Sequence, residues 1–221
     1  PGPRIVILNT VQSVAAVAQA YKNKFGKESV EHLSTALCPS DRKRTLDKVK
    51  LRLKNPADID WALFATSCIE AGINLSFRTG IREIGSLVSL LQIAGRVNRQ
   101  GKTEGAEVWS ISLAETGLFR RHPGLKEAIQ VLKEYCESDT PITPNLCTEA
   151  LKREIRLLGS FSDSLRKKEE QMRFPQVEKE FRVIADDTRL VVVEGSLVQR
   201  LEKFEPVNWQ EVQNGSLQIW G

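Results

Sequence analysis

One stretch near the middle of the chain combines an amide, a glycine and two guanidinium groups at close spacing. Gln92, Arg96 and Arg99 stand at positions i, i+4 and i+7, with Gly95 between them. In a helix this spacing places the three polar side chains along one side. Planar guanidinium groups bind phosphate oxygens better than ammonium groups do, so the stripe fits a triphosphate. Arginines near a helix end also complement the helix dipole, but that alternative explains Arg99 alone.

The flanking residues predict the element that positions this stripe. Ser86 is a suitable N-cap and Gly101 a suitable end, so a helix is expected over Leu87–Arg99. Inside it, Gly95 would cost about 1 kcal/mol relative to alanine, and its missing Cβ would let a ligand approach the backbone. The Gly-Lys-Thr at 101–103 is not the end of a P-loop, because the required earlier glycine is an arginine and a helix precedes it. The stretch therefore offers arginines for a nucleotide without a loop to cradle one.

Strand and helix patterns alternate along the first half of the chain. Short apolar runs rich in β-branched residues predict buried strands, and apolar residues at helical spacing predict the helices between them. The predicted strands are 4–8, 30–33, 61–65 and 106–113, and the predicted helices are 11–25, one beginning after Pro39 and Ser40, and 87–99. This alternation is typical of an α/β fold with a parallel sheet and helices on both faces.

The pattern changes beyond Pro123. Helices are predicted at 125–136 and 147–158, and a highly charged stretch follows at 160–180. Residues 188–193 and 196–200 flank Glu194-Gly195 and predict a β-hairpin, and the last residues resemble another strand. A helical segment and a small β-containing C-terminal region are therefore expected, with a domain boundary between 150 and 170.

Composition excludes several classes of protein. The 221 residues are 41% hydrophobic and 27% charged, which suits one or two globular domains. No apolar run reaches the roughly 18 residues that span a bilayer, and no signal-peptide pattern is present, so a cytoplasmic location without a membrane is expected. The four cysteines form no Cys-x-x-Cys pair and only two histidines are present, so free thiols and no metal site are expected. The net charge of +4 is too small to indicate a nucleic-acid partner by itself.

Polar side chains follow three of the predicted strands. Thr10 and Gln12 follow the first strand, Thr35 the second, and Thr66 and Ser67 the third. Ligands gather at the carboxyl ends of parallel strands, where helix N-termini present free N–H groups. Serine and threonine are also favoured as N-caps, and that alternative explains any one of these residues. Three such ends along one edge favour a ligand with repeated phosphates.

The helix after the second strand is strongly basic. Residues 40–54 include seven basic and two acidic side chains. Leu46, Val49 and Leu53 form a buried stripe, so most of the basic side chains are expected to face water. Arg42 is the exception, because a cation in the first turn opposes the helix dipole by about 0.3–1 kcal/mol where exposed. We therefore include Arg42 among the candidate contacts to nucleic acid.

Four segments together resemble the second RecA-like domain of superfamily 2 helicases. Residues 92–99 (Gln-x-x-Gly-Arg-x-x-Arg) are similar to motif VI, residues 65–76 to motif V, residues 8–13 to motif IV, and 32–42 to the segment after it. Together with Arg82-Glu83 and the residues before motif VI, they most resemble the CRISPR-associated helicase-nuclease of type I systems. The resemblance covers about residues 4–113, and motif VI with its flanks is its most specific part.

The resemblance implies a role in ATP hydrolysis. Arg96 and Arg99, with Gln92 beside them, would reach the phosphates of ATP, which would be held with Mg²⁺ by the first RecA-like domain. An arginine finger of this kind is worth about 10³–10⁵ in rate. Asn74 stands where motif V usually has aspartate, so a contact there would lack charge assistance. The residues expected on the nucleotide side are Gln92, Arg96 and Arg99 as catalytic groups, and Gly72, Asn74 and Gly95 as binding groups.

The resemblance also implies a grip on single-stranded DNA. Thr10, Thr35 and Thr66 would hold successive phosphates, and Glu70 and Gly72 would link these contacts to the nucleotide. Opening and closing of the cleft with each ATP would then move the chain along the strand. The residues expected on the DNA side are Thr10, Gln12, Thr35, Arg42, Thr66, Ser67 and Glu70.

The implied partners are the first RecA-like domain and the nuclease domain of a longer protein, single-stranded DNA, and the CRISPR RNA-guided surveillance complex. The P-loop, the magnesium acid and the histidine-aspartate nuclease motif of the family are not in these 221 residues. We therefore expect a piece of a larger protein, inactive alone, with the second RecA-like domain at 1–150 and a linker and part of a C-terminal domain at 151–221. Two alternatives remain open: the same domain of another superfamily 2 DNA or RNA helicase, and a non-catalytic nucleic-acid-binding module.

Overall fold

The structure is a computed structural model that describes residues 2–69, 74–101, 104–117, 119, 122–138, 141–180 and 188–220. Its strands are β1 (Arg4–Ile7), β2 (Val30–Leu33), β3 (Ala62–Ala65), β4 (Thr79–Glu83), β5 (Glu107–Ile111), β6 (Thr188–Val192) and β7 (Ser216–Trp220). Its α-helices are α1 (Val11–Phe25), α2 (Pro39–Lys54), α3 (Leu87–Ala94), α4 (Lys126–Glu137), α5 (Cys147–Leu158), α6 (Ser160–Glu170), α7 (Phe174–Glu180), α8 (Gly195–Glu202) and α9 (Trp209–Asn214). Short 3₁₀ turns cover Lys27–Ser29, Ser67–Ile69, Pro123–Leu125 and Pro144–Leu146.

The first five strands form one parallel sheet in the order β2-β3-β1-β4-β5. The buried Ile5 of β1 pairs with Leu63 of β3 on one side and Gly80 of β4 on the other. Helix α1 covers one face through Val14 and Ala18, and helices α2 and α3 cover the other through Val49 and Ile93. The predicted α/β fold with helices on both faces is confirmed.

Strand β4 is absent from the sequence prediction, although it lies beside β1 in the middle of the sheet. Its sequence, Thr-Gly-Ile-Arg-Glu, includes a glycine and two charged residues, and Arg82 and Glu83 are 4% and 7% exposed. Buried strands are normally apolar, so the apolar pattern could not reveal this one. Gly80 suits the strand because a Cβ there would lie 2.7 Å from Cγ2 of Val97.

Helix α3 is shorter than predicted. Ser86 is its N-cap as expected, with the side chain accepting from the N–H of Ser89, but the helix ends at Ala94. Gly95 is the C-cap with φ −66° and ψ −5°, not an interior residue. Arg96 and Arg99 lie in the turn that follows, so the predicted i, i+4, i+7 helical stripe with Gln92 is wrong. The chain turns away because Val97 forms a parallel bridge with Phe77, the residue shortly before β4.

The C-terminal half is helical and then mixed. Helices α4 and α5 match their predictions and share an apolar cluster with the start of α3, formed by Leu87, Val131, Leu132, Tyr135 and Ala150. The predicted hairpin is wrong: β6 pairs antiparallel with β7, and residues 195–202 form α8 instead. Leu197 and Leu201 stand four apart, which is the helical spacing. The predicted β-containing C-terminal region is confirmed, and its strands are β6 and the predicted terminal strand β7.

Two predictions from composition can be compared with the structure. All four cysteines are free thiols, as expected. Within the described ranges, no helix combines the length and apolar character needed to cross a membrane.

Candidate functional site

The three threonines that follow the first three predicted strands lie at one edge of the sheet. Strands β2, β3 and β1 are consecutive neighbours and parallel, so Thr35, Thr66 and Thr10 follow adjacent carboxyl ends. Neighbouring strands are about 4.8 Å apart, so the three ends span about 10 Å. The structure thus brings these residues together, and we name Thr10, Thr35 and Thr66 the hydroxyl row.

Thr10 is occupied as an N-cap. Its Oγ1 accepts from the N–H of Ser13 at 3.0 Å and donates to Oγ of Ser13 at 2.8 Å. The capping interpretation therefore accounts for this residue on structural grounds. Gln12 and Thr35 are exposed and could contact a ligand without rearrangement.

Thr66 is different, because its hydroxyl is buried without a partner. The residue is 7% exposed, and Oγ1 makes no hydrogen bond within the part of the chain that the structure describes. A buried unsatisfied hydroxyl costs about 1–3 kcal/mol. Its main chain is anchored, since its N–H donates to the Leu33 carbonyl at 3.2 Å. A phosphate oxygen that reached this hydroxyl would supply the acceptor that it lacks, and the neighbouring Ser67 is exposed.

Buried charged residues join the ends of β1 and β4, a role that their sequence pattern does not predict. Glu83 Oε2 accepts from the N–H of Asn9 at 2.7 Å, and Nη1 of Arg82 donates to Oδ1 of Asn9 at 2.6 Å. The Asn9 amide in turn donates to the Ile84 carbonyl at 2.9 Å. This network fixes the loop that leads into Thr10. The sequence feature that could have indicated this network is the pair of adjacent charged residues, Arg82 and Glu83, shortly before the helix cap Ser86.

The arginine segment, residues 92–99, is bound to the segment that precedes β4. The N–H of Phe77 donates to the Arg96 carbonyl and the N–H of Asn98 to the Phe77 carbonyl, both at 2.9 Å. The N–H of Arg99 donates to Oγ of Ser76 at 3.1 Å. Asn98 takes the left-handed conformation with φ 47°, which asparagine tolerates better than most residues. Residues 96–99 are therefore held by these hydrogen bonds and not by the helix that was predicted over 87–99.

Exposure separates the predicted nucleotide contacts. Gln92, Gly95 and Arg99 are exposed, whereas Arg96 is 8% exposed. Asn74 is also exposed and lies two residues before Ser76, to which Arg99 is bonded. The exposed amide and guanidinium groups fit phosphate oxygens of a nucleotide presented from outside the chain.

A Cβ on Gly95 would lie 3.6 Å from the carbonyls of Leu91 and Gln92, an ordinary contact, so packing within this chain does not require glycine there. Glu70 and Gly72 lie outside the described residues. Within the described ranges, no cluster of three histidine, cysteine or acidic side chains could hold a metal ion.

The two groups of candidate residues lie at opposite edges of the sheet. The hydroxyl row follows the carboxyl ends of the strands, whereas the arginine segment is bonded to Phe77, which precedes the amino end of β4. The five residues of β4 span about 16 Å at 3.3 Å per residue. Thr66 follows β3 at the carboxyl edge and Phe77 precedes β4 at the opposite edge, and the two residues are eleven apart in the sequence.

Two of three comparisons with known proteins found matches to the chain. Residues 2–102 match the family model described as CRISPR-associated nuclease/helicase Cas3, C-terminal. No curated protein sequence is significantly similar to the chain.

Among solved structures, the crystal structure of T. fusca Cas3 aligns with all of this chain and 32% of that chain, with a TM-score of 0.63 and 12% identity. T. fusca Cas3-AMPPNP aligns with 81% of this chain and 22% of that one, with a TM-score of 0.56 and 14% identity. A CRISPR RNA-guided surveillance complex, pre-nicking, aligns over 80% and 24%, with a TM-score of 0.56 and 14% identity.

At these identities the structural matches show the fold, and the chain spans between about a fifth and a third of the matched structures. The family model adds a sequence match over strands β1–β4 and the arginine segment together. Residues 2–102, a little under half of the chain, are therefore similar to the C-terminal part of the CRISPR-associated nuclease/helicase Cas3, and the chain has the fold of the matched part of T. fusca Cas3.

Proposed function

We propose that this chain is the second motor domain of an ATP-dependent single-stranded-DNA translocase or helicase that acts in CRISPR interference. The observation that carries the proposal is a pair of main-chain hydrogen bonds, both 2.9 Å: the N–H of Phe77 donates to the Arg96 carbonyl, and the Phe77 carbonyl accepts from the N–H of Asn98. These bonds fix the arginine segment to Phe77. In the sequence, Phe77 and Thr66 are the two ends of the stretch 66–77. Movement at a nucleotide and movement at DNA can therefore be coupled through residues 66–77 of this chain.

On the nucleotide side, Arg99 is the principal contact in this proposal. Its guanidinium is exposed, while hydrogen bonding of its N–H to Ser76 fixes its backbone. Arg99 would donate to phosphate oxygens and stabilise the charge that develops on them. Arg96 is buried, so part of its role is to hold the segment through its carbonyl, and Gln92 would add an amide donor. ATP, bound with Mg²⁺ by a first RecA-like domain, would supply the phosphoryl group.

On the DNA side, the unsatisfied Thr66 hydroxyl would donate to a phosphate. Thr35 and Ser67 are exposed at the same edge, and α1 begins there with Thr10 as its N-cap. Arg42 would add a cation from the first turn of α2. Glu70, Gly72 and Asn74 belong to the connecting segment and would transmit the state of one site to the other.

The partners belong to the proposal as well. T. fusca Cas3 has been solved with AMPPNP, and one matched structure is a CRISPR RNA-guided surveillance complex. By analogy, this chain would work with a first RecA-like domain, a nuclease domain and such a complex. Residues 1–150 would form the motor domain, and 151–221 a linker and part of a C-terminal domain.

The decisive experiment measures DNA-stimulated ATP hydrolysis in the full-length protein that contains this chain. Arg99→Ala should lower hydrolysis by about 10³-fold or more while DNA binding is largely kept. Arg99→Lys should recover little, because an ammonium group lacks the planar fork. Arg44→Ala is the matched control, since Arg44 is exposed on α2 and paired with Asp41. Unchanged hydrolysis in Arg99→Ala would contradict the motor function and favour a non-catalytic binding module.

A further inference from the structure

A groove of about 400 Å³ opens between the first three turns of α2 and the carboxyl ends of β2 and β3. It is nucleotide-sized, since small-molecule sites have volumes of about 300–1,000 Å³. The described residues that line it are Leu33, Pro39, Arg42, Lys43, Leu46, Asp47, Lys50 and Cys68. Because Leu33 ends β2 and Cys68 follows Thr66 by two residues, the groove continues the hydroxyl row outward from the sheet.

The groove has an apolar wall and a cationic rim. Leu46 and Cys68 are half-buried and supply apolar surface, Leu33 is 2% exposed, and all three belong to or pack against the main core cluster. Arg42 and Lys43 stand on the rim, and neither side chain has a hydrogen bond or ion pair within the described ranges. An apolar slot beside free cations suits a ligand with one flat apolar part and one anionic part.

Helix polarity strengthens the case for an anion. Arg42 and Lys43 lie in the first turns of α2, where the helix dipole disfavours positive charge. Arg44, by contrast, is paired with Asp41 at 2.8 Å. Two unpaired cations in an unfavourable position are stabilised if a phosphate lies between them.

We propose that this groove holds one nucleotide of the single strand, with its base against Leu33, Leu46 and Cys68 and its phosphate on Arg42 and Lys43. This inference rests on the proposed function, because it needs DNA to cross the carboxyl edge. It adds a contact to a base, whereas the hydroxyl row contacts phosphates only. Apolar contact with a base face tolerates any sequence, as a translocating protein requires.

The first test is an abasic scan with the full-length protein. Single-stranded oligonucleotides, each with one abasic position, are titrated by fluorescence anisotropy at fixed salt. One position should lose affinity several-fold, somewhat less than a lost aromatic stack would cost, because the wall of the groove is not aromatic. Arg42→Ala should weaken binding of the intact strand several-fold and lower its salt slope by about one, whereas Arg44→Ala should change neither.

The second test locates that base in the groove. An oligonucleotide with a disulfide-tethered base at the sensitive position should be trapped by Cys68 and not by the exposed Cys136, and Cys68→Ser should abolish the trapping. A flat abasic scan without trapping at Cys68 would overturn the groove assignment, even if Thr66→Val still weakened DNA binding. If neither Thr66→Val nor Arg42→Ala lowered affinity, the DNA-binding part of the proposed function would fail as well.

Discussion

The backbone N–H of Asn9 donates to the buried Glu83 carboxylate at 2.7 Å, joining the end of β1 to the end of β4. Arg82, which is also on β4, donates from Nη1 to Oδ1 of the Asn9 side chain at 2.6 Å. Because Asn9 directly precedes Thr10, the start of α1 and one end of the hydroxyl row depend on these two buried charges. The network explains why a central strand contains adjacent charged residues.

Glu83→Ala should damage DNA binding through this connection. It removes the acceptor of a charge-assisted bond, which is worth about 1.5–3 kcal/mol, and leaves the N–H of Asn9 without that acceptor. We expect a similar loss of stability in chemical denaturation and several-fold weaker binding of single-stranded DNA. Glu83→Gln keeps an acceptor for the Asn9 N–H and should restore most of the affinity. Equal affinity losses in both variants would contradict a positioning role.

Thr66→Val separates function from stability. The substitution keeps the shape of the side chain and removes a buried hydroxyl that has no partner within the described ranges. Removal of an unsatisfied polar group should raise the free energy of unfolding by about 1 kcal/mol. The same change should weaken single-stranded DNA binding about fivefold to tenfold if the hydroxyl donates to a phosphate.

The control for that prediction is Thr10→Val. Its hydroxyl caps α1 through Ser13, so its loss should cost about 1 kcal/mol of stability. The two threonines should therefore change stability in opposite directions in thermal denaturation. A destabilised Thr66→Val with normal DNA affinity would show that the hydroxyl has a structural role.

Hydrophobic periodicity was sufficient to predict the elements that bury one face or are apolar along their whole length, such as α1, α2 and β1–β3. It failed at β4, because Arg82 and Glu83 are buried there and both hydrogen-bond to Asn9, which is distant in the sequence. It also failed after Ala94, where a bridge between Val97 and Phe77 ends the helix although the residue pattern continues. The sequence predicted which polar residues gather at the carboxyl edge, but tertiary contacts decide which hydroxyl stays unsatisfied.

Arg52 organises the far end of α2. Its guanidinium donates to both carboxylate oxygens of Asp58 at 2.8 and 3.0 Å, to Glu31 at 2.8 Å, and lies 4.5 Å from the ring centroid of Trp61. A lysine cannot reproduce this bidentate and stacked geometry. Arg52→Lys should therefore destabilise the chain by about 1–2 kcal/mol in urea denaturation. The exposed control Arg44→Lys should change stability by less than about 0.5 kcal/mol.

The same contact predicts a pH dependence. Hydrogen bonding from Arg52, together with the positive charges of Arg52 and Lys48, lowers the pKa of Asp58. The carboxylate therefore contributes stability above its unfolded pKa of about 3.9, and this is lost as pH falls through the folded pKa. Asp58→Asn should be less stable than the parent at pH 7, and the difference should shrink below about pH 4. Thermal melts across that range measure it, and a constant difference would contradict the assignment.

Gly80 ties the sheet to the arginine segment, because a Cβ there would lie 2.7 Å from Cγ2 of Val97 and 3.1 Å from Cγ1 of Ile93. Gly80→Ala should overpack this contact, cost about 1–3 kcal/mol and displace the turn that bears Arg96. Val97→Ala in the Gly80→Ala background should recover part of that loss, giving a coupling energy of about 1 kcal/mol in a double-mutant cycle.

Gly195→Ala is the control for that cycle, since a Cβ there meets no atom within 4 Å. It should leave stability nearly unchanged. In the full-length protein, ATP hydrolysis should fall in Gly80→Ala and rise again in the double variant, because Val97 lies between Arg96 and Arg99 in the turn. Strictly additive stabilities, or hydrolysis unaffected by Gly80→Ala, would show that the arginine segment is held independently of β4.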